Sequence, residues 1–428
     1  MKENNISRKL FQGDVSVWII FMLLCCFSIV EVFSATSTLA YREVNIYMPI
    51  VRHASFLFGG FLVILIFSHV HFNYFSLGIF LMFVSVVLLV LTLLYGITEN
   101  EATRRISAMG TPFQPSEIGK LASVIYIAVY LSKGGAFTNS KKSIFISCGV
   151  GIIVALILRA NLSTALILGA VCFLMMFIGQ IPLLTIGRRL FEWVGIACVV
   201  VILLLVLPPE TAKKVMPRTE TWRGRIERFI DQVPNSTRTD ATSAAYQITD
   251  DNYQTAHAKI AIARGGILGK LPGQSVQRDF LPQAYSDFIY AIIIEELGAI
   301  GGITVLLLYV MLMIRVGIIA RRCEKLFPKY LVLGCGLLIV IQALVHMAVS
   351  VGLPLVTGQP LPLISIGGTS IVITCVYIGM ILSVSHYGAK MSEEEDEEEE
   401  EEKDEALDYD ENLEENPTLA TEFVEEES

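Results

Sequence analysis

Apolar runs of membrane-spanning length recur ten times along this chain of 428 residues, at about 15–36, 52–70, 74–96, 115–132, 143–159, 162–181, 190–208, 286–314, 331–353 and 365–387. No other feature restricts the fold so much. A helix needs ~20 residues to cross the hydrocarbon. In lipid the backbone must satisfy its own hydrogen bonds, which leaves helices as the solution for runs of this kind. The expected class is therefore an all-α polytopic membrane protein with about ten transmembrane helices. A composition of 54% hydrophobic and 17% charged residues excludes an ordinary soluble enzyme.

The charges are split between two unlike pieces. Residues 392–428 hold 21 acidic residues against one lysine, a net of −20, and the rest of the chain is basic by +11. So dense a run of like charge cannot collapse, and 391–428 reads as a disordered acidic tail behind a membrane domain at 1–390. Lysine and arginine in short loops orient the spans. Lys2, Arg8, Lys9, Lys133, Lys141, Lys142, Arg188, Arg189, Arg321, Arg322, Lys325 and Lys329 fall on one side, against Arg42, Arg52, Arg104, Arg105 and Arg159 on the other. This expectation puts both termini in the cytoplasm and a large loop, 209–285, outside. The first run lacks a small-x-small cleavage site and reads as a retained span. Apolar residues and glycines mixed along 261–282 suggest short pieces lying on the membrane or folding back into the bundle.

Several chemistries have no foothold. Seven of the eight cysteines lie inside apolar runs and Cys323 in a basic loop, so disulfides are not expected. There is no CxxC, HExxH, Walker or dinucleotide-binding pattern.

Charge at membrane depth costs ~2.5–3.5 kcal/mol on insertion scales, so each such residue is a functional candidate. Glu117 and Lys120 follow Gln114-Pro115 and share one helical face, as a structural ion pair or a cavity lining. Asp287 stands where the eighth span meets the outer water. It reads as a helix cap or as a general base whose pKa partial desolvation raises. Glu295 and Glu296 lie two turns deeper, where they must pair or line a polar cavity. The run Val356 to Ser370, with Ser365, Gly367 and Gly368, is too rich in Pro and Gly for a continuous helix. It reads as broken backbone against a cavity or as small-residue packing. His346, inside the ninth span, reads as a hydrogen-bonded packing residue.

In this order and topology the motifs resemble the SEDS family (shape, elongation, division and sporulation proteins), the family of FtsW and RodA. Phe113 to Lys120 is similar to its F-Q-P-S-E-x-x-K. Gly273, Ser275, Gln277, Leu281 and Pro282, then Ser286 to Ala291 and Glu295 to Gly298, follow its outer-loop signature, and Leu361 to Ser370 its L-P-L-I-S-Y-G-G-S-S. Departures are Arg105 for a tryptophan, Asn161 for an aspartate, Tyr285 for a histidine, Ile366 for a tyrosine, and His346 and Ser350 for asparagines.

The resemblance implies a peptidoglycan glycosyltransferase that polymerises lipid II outside the membrane and releases undecaprenyl diphosphate. The start of the chain, Val30 to Ser37, is nearer the division branch than the elongation branch. Asp287 would be the catalytic base. Glu117, Lys120, Gln114, Arg104, Arg264, Ser275 and Ser365 would contact substrate, and Glu295, Glu296, Pro282, Gly367 and Gly368 would shape the cavity. The diphosphate charge would be met by basic residues or by a divalent cation, Mg or Mn. The implied partner is a class B penicillin-binding protein, a single-span transpeptidase. A lipid II flippase, an elongation-type polymerase and a non-catalytic division scaffold remain open, the first because buried charges also suit a transport path.

Overall fold

Polar residues at the ends of the apolar runs decide where the helices start. Asp14 caps the first, its Oδ1 accepting from the amides of Ser16 at 2.8 Å and Val17 at 3.2 Å. Pro115 opens another, with Glu117 in its first turn. Asn161 caps a third, accepting from Ser163 at 3.2 Å and Thr164 at 3.4 Å. The computed structural model describes residues 10–36, 47–99, 102–108, 111–135, 137–206, 253–281, 284–353 and 358–388.

The helices are α1 (Val15–Ala35), α2 (Met48–Ser68), α3 (Phe80–Tyr95, entered through a 3-10 segment, Phe72–Ile79), α4 (Pro115–Ser132), α5 (Asn139–Ala160), α6 (Leu162–Ile178), α7 (Leu183–Val206), α8 (Tyr253–Gly265), α9 (Ile289–Arg321), α10 (Leu326–Ser350) and α11 (Gly368–Gly388). Among the described residues, every one of the ten expected spans coincides with one of these, α8 being the extra. Seven meet the length and hydropathy of a bilayer span on their own.

Burial separates the inner helices from the outer ones. In α10 and α11 67% and 72% of the spanning window is buried, against 22% in α2 and in the span ending at Tyr95. On α2, α3 and α7, large apolar side chains such as Phe58, Phe83, Phe191 and Ile202 are exposed. In water such surfaces would be aggregation sites, but in lipid they are ordinary. The construction is that of a multi-pass membrane protein.

Two features were not foreseen in detail. The connection from α3 to α4 holds a small antiparallel meander, β1 (Ile97–Glu99), β2 (Ala102–Ala108) and β3 (Thr111–Phe113), with Ile97 opposite Arg105 and Ile106 opposite Phe113. This run is rich in Thr and Ile, residue types that favour strands. The expected helical class describes the membrane body, and the sheet is an addition to it. The second feature is that α8, from the end of the long loop, folds back on the bundle. Its Ala258 and Ala261 pack with Leu281, Phe288, Ala291 and Ile292. Alanines allow that close approach. Residues 207–252 of the expected outer loop and the acidic tail at 391–428 lie outside the described residues.

Candidate functional site

The site is built from three stretches that meet at one end of α9. The first is the segment leading into that helix. Asp287 is partly exposed, and the Ser286 hydroxyl donates to its Oδ1 at 3.2 Å. The cap position of α9 belongs to Phe288, whose side chain cannot cap. Asp287 stands one residue further out. It lies at the positive end of the helix dipole.

The second stretch, the turn at 358–366, holds that segment in place. Ser365 is buried. Its hydroxyl donates to the Ser286 carbonyl at 2.7 Å and accepts from the Leu361 amide at 2.8 Å. The Ile366 amide donates to the Tyr285 carbonyl at 3.1 Å. Two bonds thus fix the backbone just before Asp287. On the far side of the turn, Gln342 of α10 donates to the Pro360 carbonyl at 3.1 Å and accepts from Lys120 of α4 at 2.8 Å. Lys120 also pairs with Glu117 at 2.9 Å, both side chains being almost wholly buried. His346 Nδ1 donates to the Gln359 carbonyl at 2.8 Å, and the Gln359 amide reaches Thr164. The turn is therefore gripped from α4, α6 and α10 on one side and bonded to the Asp287 segment on the other.

The third stretch is the loop at 266–281. At Gly298, with φ 70°, α9 loses helical geometry. A Cβ there would sit 2.1 Å from the Ile267 carbonyl oxygen, so only glycine fits. The backbone groups freed by the kink are taken by the loop. Lys270 and Leu271 amides donate to the Glu295 and Glu296 carbonyls at 3.0 and 2.8 Å, and Ala299 to Gly266 at 2.9 Å.

Both carboxylates of the kink are saturated by the same loop. Glu295 accepts from the Ser275 hydroxyl at 2.5 Å and the Gln277 amide at 3.2 Å, with Arg264 at 3.5 Å. Glu296 accepts from Gly273 and Ser275 amides at 3.0 and 3.2 Å and from the Ser34 hydroxyl of α1, with Arg278 at 3.9 Å. Each such charge-assisted bond is worth ~1.5–3 kcal/mol. Glu295 and Glu296 thus form a clasp on the loop, and Glu296 also bonds across to α1 through Ser34.

The remaining expected site residues are placed as follows. Gln114 bonds its neighbour Ser116 at 3.0 Å at the mouth of α4. Arg264 is 45% exposed at the end of α8. Ser275 is buried in the clasp. Arg104 lies on β2, in the connection between α3 and α4. Gly367 and Gly368 lead into α11, where a Cβ on Gly368 would press on the Phe56 ring. Pro282 lies outside the described residues.

The sequence assigns no role to three further residues. Gln342 is a lone amide in an apolar run, one helical turn before His346, and that spacing was the available signal. Arg278 donates to the Ser34 carbonyl at 3.2 Å and ties the loop to α1. Glu31 of α1 is fully buried, with neither carboxylate oxygen bonded among the described residues.

Among the described residues no three His, Cys, Asp or Glu side chains are grouped to hold a metal ion. Glu117, Glu295 and Glu296 already accept from N–H and O–H donors. Among the described residues these carboxylates do not form a donor set for a resident divalent cation.

Comparison with known proteins bears on the same stretches. The sequence model of the FtsW/RodA/SpoVE cell cycle proteins matches residues 14–390. A protein of Nitrosococcus halophilus named "Probable peptidoglycan glycosyltransferase FtsW" is 32% identical over 317 residues, covering 72% of this chain and 75% of its own. A Geobacter protein of the same name is 29% identical over 386 residues, covering 88% and 98%. Among solved structures, a chain of a peptidoglycan synthase complex superposes with a TM-score of 0.66 at 22% identity, covering 88% of this chain and 98% of its own. The rod shape determining protein RodA of Thermus thermophilus superposes with a TM-score of 0.59 at 21% identity, covering 87% and 96%. At those identities the two structures establish the polytopic fold.

Proposed function

Because the chain belongs to the FtsW/RodA/SpoVE family of cell cycle proteins, we propose that it is a peptidoglycan glycosyltransferase polymerising lipid II on the outer face of the cytoplasmic membrane. The names of relatives at about 30% identity support that reaction class. The single observation that carries the assignment to this site is Asp287. It is a partly exposed carboxylate at the entrance of α9 whose backbone is held by two bonds from the 358–366 turn.

In this reading a sugar hydroxyl of one lipid II attacks the anomeric carbon of another. The new glycosidic bond forms as the bond to the diphosphate breaks. Asp287 takes the hydroxyl proton, and the leaving group departs as undecaprenyl diphosphate. Its charge is met by basic side chains on the outer segment. Arg264, half-exposed beside Glu295, is better placed for that than Lys120, which is buried and committed to Glu117 and Gln342. The substrate brings its own energy, in keeping with the absence of a Walker motif.

The start of the chain supports a septal role, and the family resemblance supports a class B penicillin-binding protein as partner. A chain with this fold has been solved within a peptidoglycan synthase complex. The test is reconstitution of the purified chain with that transpeptidase in liposomes carrying lipid II. Polymer formation that requires Asp287 supports the polymerase. Movement of lipid II between leaflets without polymer would support the transporter reading and overturn this one.

A further inference from the structure

A second cluster of charge lies at the opposite end of the bundle, on the face that the lysine and arginine pattern assigns to the cytoplasm. A cleft of about 700 Å³ opens between the start of α5 and the start of α7, lined by Ser140, Leu184, Gly187, Arg188, Arg189 and Phe191. Its two guanidiniums differ in setting. The Arg188 side chain is 72% exposed, and the Arg189 side chain is nine-tenths buried. Both lean on one carboxylate, with Arg188 Nε 3.3 Å and Arg189 Nη1 2.5 Å from Glu192. Two positive charges thus share one negative charge, and Lys141 and Lys142 follow Ser140 in the first turn of α5. Arg189 Nε is buried without a hydrogen-bond partner. A buried unpaired donor costs about 1–3 kcal/mol, and one on a charged group beside a cleft invites an anion.

The apolar lining says which anion. Leu184 and Phe191 are largely exposed at the start of a helix that runs into the bilayer. A free phosphate has no use for them, whereas acyl chains do. Basic pockets between spans at the cytoplasmic surface are built for anionic headgroups, with the guanidinium fork matched to phosphate oxygens.

We propose that the α5–α7 cleft is a binding site for an anionic phospholipid of the inner leaflet, with Arg189 and Arg188 on the phosphodiester and Leu184 and Phe191 against its chains. The first-turn amides of α5, whose cap residue Thr138 makes no side-chain capping bond, add to the positive potential. The bound lipid would pin the start of α7 to α5.

The experiment uses the full chain, delipidated in detergent and titrated with phosphatidylglycerol and, separately, phosphatidylcholine, with bound lipid read by native mass spectrometry. Phosphatidylglycerol should bind in preference to phosphatidylcholine. Arg188→Gln should weaken it about fivefold, and Arg188→Gln with Arg189→Gln further. Glu192→Gln should act in the opposite direction, because it frees both guanidiniums. Should the double variant fail to fold, Arg188→Gln and Glu192→Gln still give effects of opposite sign. Equal binding of phosphatidylglycerol by wild type and these single variants would overturn the proposal. Displacement of the lipid by excess inorganic phosphate would move the site to a soluble anion and overturn the lipid assignment.

Discussion

One hydroxyl, that of Ser365, links the broken backbone of 358–366 to the segment carrying Asp287. Removing it leaves the Ser286 carbonyl and the Leu361 amide without their partner, at about 1–3 kcal/mol for each group left unsatisfied. We expect Ser365→Ala to fold and insert but to polymerise about tenfold more slowly, because the Asp287 segment is no longer fixed. Unchanged turnover would show that the turn is passive. The Glu117–Lys120 pair makes a different prediction. Breaking a buried pair from one side costs about 3–5 kcal/mol, since a charge is left without its partner. Lys120→Ala should therefore lower the unfolding temperature more than Glu117→Gln combined with Lys120→Met, which leaves no charge behind. The pair itself was legible in the sequence from its i,i+3 spacing. Gln342, which joins it to the turn, was not: its one-turn spacing from His346 marks a shared face, but a single amide does not say what that face meets.

At the scale of elements, α9 and the 266–281 loop form one unit. The kink at Gly298 exposes backbone groups that the loop satisfies, and the clasp carboxylates bind the loop's own amides. Gly298→Ala would place a methyl 2.1 Å from the Ile267 oxygen at a φ that side chains avoid. The backbone strain alone is about 1–3 kcal/mol. Loss of thermal stability together with new protease cleavage within 266–281 is the expected result, and a variant as stable and resistant as wild type would separate loop from kink. The positions of the spans were legible because apolar length is a strong signal. The clasp was not. Glu295 and Glu296 read equally well as helix–helix contacts; Glu296 does make one, with Ser34 of α1, but most of their donors come from a loop about twenty residues earlier in the chain. The small sheet between α3 and α4 was missed for a related reason: three short strands in a polar connection give no hydrophobic periodicity to compete with the flanking spans.

Across the whole molecule, the two ends of the bundle are treated differently. One end gathers the Asp287 segment, the gripped turn and the clasped loop, and the other carries the arginine-lined cleft. The acidic stretch at 392–428, net −20, lies beyond the family match at 14–390. Its charge should hold it away from an anionic inner leaflet. Deletion after Met391 is expected to leave polymerisation in liposomes intact, and a folded, partner-bound truncation that makes no polymer would contradict that. The central claim rests on Asp287 and is tested most directly by one comparison. Lipid II polymerisation is measured for wild type and Asp287→Asn, each purified with its transpeptidase partner and checked for folding and complex formation. Asparagine keeps the size of aspartate but cannot take the proton, so the variant is predicted to assemble normally and make almost no glycan. Near-normal polymer from Asp287→Asn would contradict the assignment of Asp287 as the base.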